Sequence, residues 1–138
     1  MSLFGIFEVA GSGLAAQSVR LNVTASNLAN ADSVSSSAGG TYRARHPVFS
    51  TLLMNAANGE TQLGVQVERV IQSDQAPKPE FAPNHPQAND DGFIFRSNVN
   101  SVEEMANMLS AARSYESNLS VVNTAKELML RTLSLGQR

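Results

Sequence analysis

A repeat of seven residues at both ends of the chain is the feature that most constrains its fold. Near the N terminus, large apolar residues recur every seven positions, at Phe7, Leu14, Leu21 and Leu28. The line that lies three residues earlier holds mostly small residues. Large residues on one line and small ones on the next are typical of a helix that allows another helix to come close. The pattern predicts a helix over the first segment, residues 1–31.

The repeat returns in the last segment, residues 101–138. Ser101 followed by Glu104 predicts a capping box at the start of a helix. The apolar members of its repeat are Met105, Met108, Ala112, Tyr115, Leu119, Val122, Met129 and Leu133. About 35 residues, each rising about 1.5 Å, predict a helix of roughly 50 Å, which a chain of this size does not easily cover by itself. We therefore expect the two terminal helices to form a coiled-coil layer, with each other and with other chains.

The middle segment, residues 32–100, has the pattern of short strands. Stretches 41–53 and 63–72 predict two strands, with a hairpin turn at 58–60. The apolar alternation of the second strand slips by one position near its end. A later apolar run, 92–95, predicts a short third strand.

Two stretches of this segment have the composition of loops. Residues 32–41 are rich in serine and glycine, which predicts a flexible loop. Residues 73–92 hold four of the five prolines and predict an extended Pro-rich loop. With the two terminal helices, the prediction is an α+β fold of three consecutive segments.

Composition excludes several classes of partner and site. The net charge is −2, so there is no electrostatic reason to expect nucleic acid or an anionic membrane as partner. The absence of cysteine excludes disulfides and cysteine-ligated zinc. No apolar run approaches the roughly 18 residues of a membrane span. The N-terminal stretch lacks a basic region and is interrupted by Glu8, so we do not expect a cleaved signal peptide.

The polar surface of the first helix is almost uncharged. Glu8 and Arg20 are the only charged residues before Asp32. Small uncharged polar side chains can be buried against protein at low cost when their hydrogen bonds are made. We expect Asn27 and Asn30 to fix the turn from helix to loop and to contact neighbouring chains. The alternative is a simple C-cap and a surface amide.

The residues suggest no catalytic motif. His46 and His85 are the only histidines. A metal site built from His85, Asp90 and Asp91 is the one arrangement to weigh, but solvated loop residues are the better interpretation because no further ligand converges on them. Because no nucleophile, base or phosphate-binding loop is recognisable, we expect no enzymatic activity, no metal and no cofactor.

Two separated motifs carry a family resemblance. The stretch LNVTASNLANADS resembles the N-terminal signature of the flagellar axial proteins, which build the rod, hook and hook junction. The stretch NVNSVEEMANMLSAARSYESNLSVVNTAKELMLRTLSLG resembles their C-terminal helix. The segment HPQANDDGFIF, linked to SNVNSVEEM, resembles the basal-body rod proteins of the proximal rod. The short chain agrees, since distal rod and hook members are longer and carry an extra middle domain.

The resemblance implies a structural subunit of the flagellar proximal rod, a helical drive shaft that transmits torque from the motor to the hook. Its partners would be copies of itself, other rod proteins and the flagellar type III export apparatus. It would leave the cytosol without a cleaved signal and assemble in the periplasm. Its terminal helices would form an inner coiled-coil layer, with the β-rich segment outside, and would fold on assembly.

The predicted subunit interface comprises apolar residues of both repeats and the two asparagines: Phe7, Leu14, Leu21, Asn27, Leu28, Asn30, Met105, Met108, Tyr115, Leu119, Val122, Met129 and Leu133. Two other functions stay open, a coiled-coil adaptor that binds through its β segment and an enzyme with an unfamiliar site. Folding that depends on assembly would distinguish the rod subunit from the adaptor. Loss of an activity on changing His46 or His85 would indicate the enzyme.

Overall fold

The computed structural model describes residues 3–55 and 61–136 of the chain. These residues form two long helices and five strands: α1 (Leu3–Ala29), β1 (Val34–Ser35), β2 (Arg45–Asn55), β3 (Thr61–Gln72), β4 (Lys78–Phe81), β5 (Phe93–Arg96) and α2 (Ser101–Gly136). The predicted α+β class is confirmed. The turn predicted at 58–60 lies outside the described residues. Neither of the two described helices is long and apolar enough to span a membrane.

The two helices pack against each other in antiparallel orientation. Asn27, near the end of α1, is bonded to Glu104 in the first turn of α2. Halfway along, Gly13 of α1 lies against the side chain of Asn118. Among the helix residues whose burial the structure describes, the buried apolar side chains are all alanines: Ala10, Ala16, Ala111 and Ala125. Small side chains allow the helix axes to approach closely, but they bury little apolar surface.

Gly11 and Gly13 should respond differently to replacement by alanine. A Cβ atom at Gly11 would meet nothing within 4 Å, whereas one at Gly13 would lie 2.7 Å from Nδ2 of Asn118. Alanine is favoured over glycine in a helix by about 1 kcal/mol. We expect Gly11→Ala to raise the free energy of unfolding by about this amount, and Gly13→Ala to gain less or to lose stability. Urea unfolding measures both changes, under conditions where circular dichroism shows that α1 and α2 are helical. Equal gains would contradict the close contact at Gly13.

The long hairpin of β2 and β3 packs on α1, which therefore has α2 on one side and the hairpin on another. Its antiparallel register runs from Arg45 opposite Gln72 to Asn55 opposite Thr61. A β-bulge interrupts the register, which accounts for the slip in apolar alternation noted in the second strand.

A second sheet corrects the two loop predictions. β1, β5 and β4 pair in that order, so that β1 falls within the predicted loop 32–41 and β4 within the Pro-rich loop 73–92. Pro79 is accommodated because β4 is an edge strand, where a missing N–H need not break the ladder. Glu80 of β4 also forms an ion pair with Arg96 of β5. The proline content therefore argued against a strand here, but β4 forms because it pairs with a single neighbouring strand, β5.

The start of α2 differs from the predicted capping box. Oδ1 of Asn100 accepts a hydrogen bond from the backbone N–H of Val102 at 3.2 Å, so Asn100 caps the helix rather than Ser101. This shifts Glu104 one position beyond the place that a capping box requires. The carboxylate of Glu104 instead accepts a hydrogen bond from Asn27 on α1.

Candidate interaction surface

The predicted apolar repeat of α2 divides into five half-buried members, one of which is Ala112, and three exposed members. Met108, Tyr115, Val122 and Met129 are half-buried beside the alanines of the helix seam. Three members remain largely exposed, namely Met105 (58%), Leu119 (41%) and Leu133 (65%). Because they are 14 residues apart, they lie on one side of the helix. We call these three residues the outer line.

Sequence reasoning missed a second exposed line on α2. Val121, Leu128 and Leu135 recur every seven residues and are all exposed. The spacing that signals this line is present in the sequence. A single repeat is enough to predict the helix, so the second line adds nothing to that prediction.

The apolar residues predicted on α1 form one half-buried edge of that helix, at Phe7, Leu14, Leu21 and Leu28. The outward face of α1 carries mostly small residues, at Phe4, Glu8, Gly11, Ala15, Asn22, Ala25 and Ala29. A helix face of this kind offers little resistance to the close approach of another chain.

The β2–β3 hairpin has one face on α1 and one face turned outward. The side chain of Gln62 lies against Gly5, and Oγ of Ser12 accepts a hydrogen bond from the backbone N–H of Val65 at 3.2 Å. Since side chains alternate along a strand, the residue after Gln62 points away from α1. That residue is Leu63, which pairs across the hairpin with Leu53, and the two are 62% and 66% exposed.

Asn27 is completely buried at the junction of three elements. Its Oδ1 accepts hydrogen bonds from the hydroxyl of Tyr42 at 2.8 Å and from the backbone N–H of Arg45 at 2.9 Å. Its Nδ2 donates to the carbonyl of Arg45 at 2.8 Å and to Oε2 of Glu104 at 3.0 Å. One amide therefore ties α1 to the start of β2 and to the first turn of α2.

These four bonds use the full capacity of an asparagine amide. Asn27 has no group left for a neighbouring chain in this conformation, and we do not include it in the interface proposed below. Asn30 makes a more local contact, because its Nδ2 donates to the carbonyl of Ser26 at 2.8 Å. Its side chain is half-buried, and its part in an interface stays a prediction.

Asn98 makes a similar link that sequence reasoning missed. Its Oδ1 accepts a hydrogen bond from the backbone N–H of Ala44 at 2.7 Å, and its Nδ2 donates to the carbonyl of Gln75 at 2.8 Å. It therefore joins the segment before α2 to the two ends of the hairpin. The residue lies within the family stretch, but a sequence pattern does not indicate which backbone groups it meets.

The residues weighed for chemistry do not form a common site. Nδ1 of His85 accepts a hydrogen bond from the backbone N–H of Gln87 at 3.1 Å, which is a local turn contact. His46 is an exposed residue of β2, and Asp90 and Asp91 are exposed in the turn before β5. Across residues 3–55 and 61–136, no group of three His, Asp or Glu side chains is arranged to hold a metal ion.

Comparison with known proteins identifies the family. The flagellar basal-body rod protein FlgC of Salmonella typhimurium is 50% identical over 137 residues, which cover 99% of this chain and 100% of the relative. FlgC of Yersinia enterocolitica is 47% identical with the same coverage. FlgC of Buchnera aphidicola subsp. Baizongia pistaciae is 36% identical over 139 residues, again 99% of this chain and 100% of the relative. The chain belongs to the flagellar basal-body rod protein family.

Two family models match this rod protein at its ends. The model described as "Flagella basal body rod protein" matches residues 7–35, and "Flagellar basal body rod FlgEFG protein C-terminal" matches residues 90–135. The matched ranges hold most of α1 and almost all of α2, and α2 is the helix that carries the exposed apolar lines. The rod protein is thus a structural subunit of the flagellar basal body and not an enzyme, as predicted.

Proposed function

We propose that this rod protein is a subunit of the proximal rod, where it assembles with copies of itself and with other rod proteins into a helical tube. The tube transmits torque from the motor to the hook. The subunit passes through the flagellar type III export apparatus without a cleaved signal and assembles in the periplasm. The observation that carries this proposal is the outer line of large apolar residues left exposed on α2.

Exposed apolar residues in such an arrangement mark a surface for another protein. Single exposed leucines are common on soluble proteins, but here they follow the repeat of the helix over most of its length. The buried side of the same helix supplies only alanines as fully buried apolar residues. The helix therefore leaves large apolar side chains available to neighbours, whereas the apolar side chains that it buries most deeply are small.

The proposed contact is a layer of terminal helices packed as coiled coils. It contains the exposed outer line and the half-buried edges that border it: Met105, Leu119, Leu133, Phe7, Leu14, Leu21, Leu28, Met108, Tyr115, Val122 and Met129. The small outward face of α1 allows a helix of a neighbouring subunit to approach closely. Asn30 directly follows the end of α1 and is proposed as a border contact.

Such a layer suits a shaft that carries torque. The 36 residues of α2 span about 54 Å at about 1.5 Å per residue. Contacts distributed along that length share a twisting load among many small interactions. A single compact patch would concentrate the same load at one place.

Hydrogen exchange on the dilute, purified protein tests whether the helices depend on neighbours. If the subunit folds on assembly, α1 and α2 exchange at near random-coil rates in the monomer and become protected in the assembled rod. The β2–β3 hairpin and the second sheet serve as internal references, because their protection should change less. Strong protection of α1, α2 and both sheets in the monomer would contradict folding on assembly and would favour a self-contained adaptor.

A further inference from the structure

A projecting pair of leucines lies near the described end of the β2–β3 hairpin. Leu53 and Leu63 lie opposite each other in the register and are exposed by about two thirds. They are on the face of the hairpin that points away from α1. We call this pair the leucine knob.

A separate apolar cavity of about 230 Å³ lies in the groove between α1 and α2. It is lined by Ile6, Ser120, Val121, Thr124, Ala125 and Leu128. The hydroxyl of Thr124 already donates to the carbonyl of Ser120 at 2.9 Å, so the lining does not depend on a polar ligand for that group. An apolar cavity of about 150 Å³ is sufficient to hold a small apolar ring, so this groove can admit a leucine side chain.

The knob and the groove lie at the same height along α1 but on different sides of it. Gln62, the residue next to Leu63, contacts Gly5, while Ile6 lines the groove. Because α1 packs between the hairpin and α2, the knob cannot reach the groove of its own chain. A second copy placed alongside, with its helices nearly level, brings the two surfaces together.

We propose that the leucine knob of one copy inserts into the Ile6–Leu128 groove of the next copy. The proposal rests on the self-assembly proposed above and names a contact within it. The two surfaces are different, so the contact is heterologous. The copy that donates its knob keeps a free groove, and the copy that receives it keeps a free knob. Repetition of such a contact closes a ring or continues as a helix, which is the geometry that a tube wall requires.

Disulfide trapping tests this contact in a chain that has no cysteine of its own. Leu53→Cys and Leu128→Cys are made as separate proteins and oxidised alone and as a mixture at a concentration where the wild type assembles. The proposal predicts a covalent dimer in the mixture and little in either protein alone, because a disulfide requires Cα atoms within about 7 Å. Gly39→Cys, at an open loop position, is the matched control and should trap neither variant.

The outcomes separate this contact from assembly itself. If the wild type sediments as an assembly but the mixture gives no 53–128 disulfide, or gives only same-position dimers, the knob-in-groove contact is wrong and self-assembly stands. If the wild type stays monomeric at every concentration tested, both proposals fail. Both substituted leucines are exposed, and circular dichroism of each variant verifies that its helix content matches that of the wild type.

Discussion

Replacement of Asn27 by alanine is expected to lower the free energy of unfolding by about 2–4 kcal/mol. The substitution removes four hydrogen bonds at once. Both backbone groups of Arg45 and the carboxylate of Glu104 lose their partner, and the hydroxyl of Tyr42 keeps only its 3.3 Å contact with Oγ of Ser26. Glu104 contributes most to this loss, because its side chain is buried and a charged acceptor suffers most from losing a donor. Urea unfolding of the assembled protein, monitored by circular dichroism, measures the change, because the helices are ordered there whether or not the free subunit folds.

Asn30→Ala is the matched control for this prediction. It removes the same side-chain group three residues later, but only one hydrogen bond, from Nδ2 to the carbonyl of Ser26. We expect a loss of about 0.5–1 kcal/mol. Equal losses for the two variants would contradict the view that the Asn27 amide ties three elements together.

Asn27→Asp refines the test, since it keeps the shape of the side chain but replaces the donor with an acceptor. At neutral pH it places a second carboxylate against Glu104. We expect this variant to be less stable at neutral pH than in mild acid, because protonation removes the repulsion and restores a donor. Stability that does not change with pH would argue against the contact with Glu104.

The second large effect is expected from charges placed on the outer line. Leu119→Glu combined with Leu133→Glu should raise the protein concentration needed for assembly by a hundredfold or more. Two carboxylates buried without partners cost several kcal/mol, and each factor of ten corresponds to about 1.4 kcal/mol. The monomer should be affected little, because both leucines are exposed in the single chain. Sedimentation velocity over a concentration series measures the shift.

Ser110→Glu combined with Ser134→Glu is the matched control. It adds the same two charges at exposed positions of α2 that lie off the outer line. We expect this variant to assemble at nearly the concentration of the wild type. A similar loss of assembly in both double variants would show that net charge, rather than the outer line, governs association.

The sequence was most informative where a repeat extends over many residues. The spacing of Leu14, Leu21 and Leu28 predicts a helix. The prediction of a long helix stays correct even when its first and last residues are misplaced. It could not say which of two neighbouring apolar lines on α2 faces α1. Alanines at 111 and 125 occupy the seam because they allow close approach, so the larger Leu119 and Leu133 turn outward. Residue size alone would predict that the leucines face α1 and the alanines face outward.

Polar contacts over long sequence distances were the least predictable. Asn27 and Glu104 are 77 residues apart, and each fits a plausible local role as a cap. Glu104 loses that role because Asn100 caps the helix one position earlier. Likewise, β4 depends on pairing with β5 and not on its own proline-rich residues. In each case the contact depends on a partner that is distant in sequence and comes close only in the folded chain.

The antiparallel pairing of the helices also determines where the protein can be labelled. Phe4 lies beside Met129 and Leu133, so the beginning of α1 and the end of α2 share one pole of the molecule. A fluorescent domain fused before α1 or after α2 would crowd that same pole. Moving the fusion from one terminus to the other would not reduce the crowding. Gly39 follows the opposite end of α1, and an added side chain there meets no atom within 4 Å. A probe inserted at Gly39 would therefore avoid the pole that the two helix ends share.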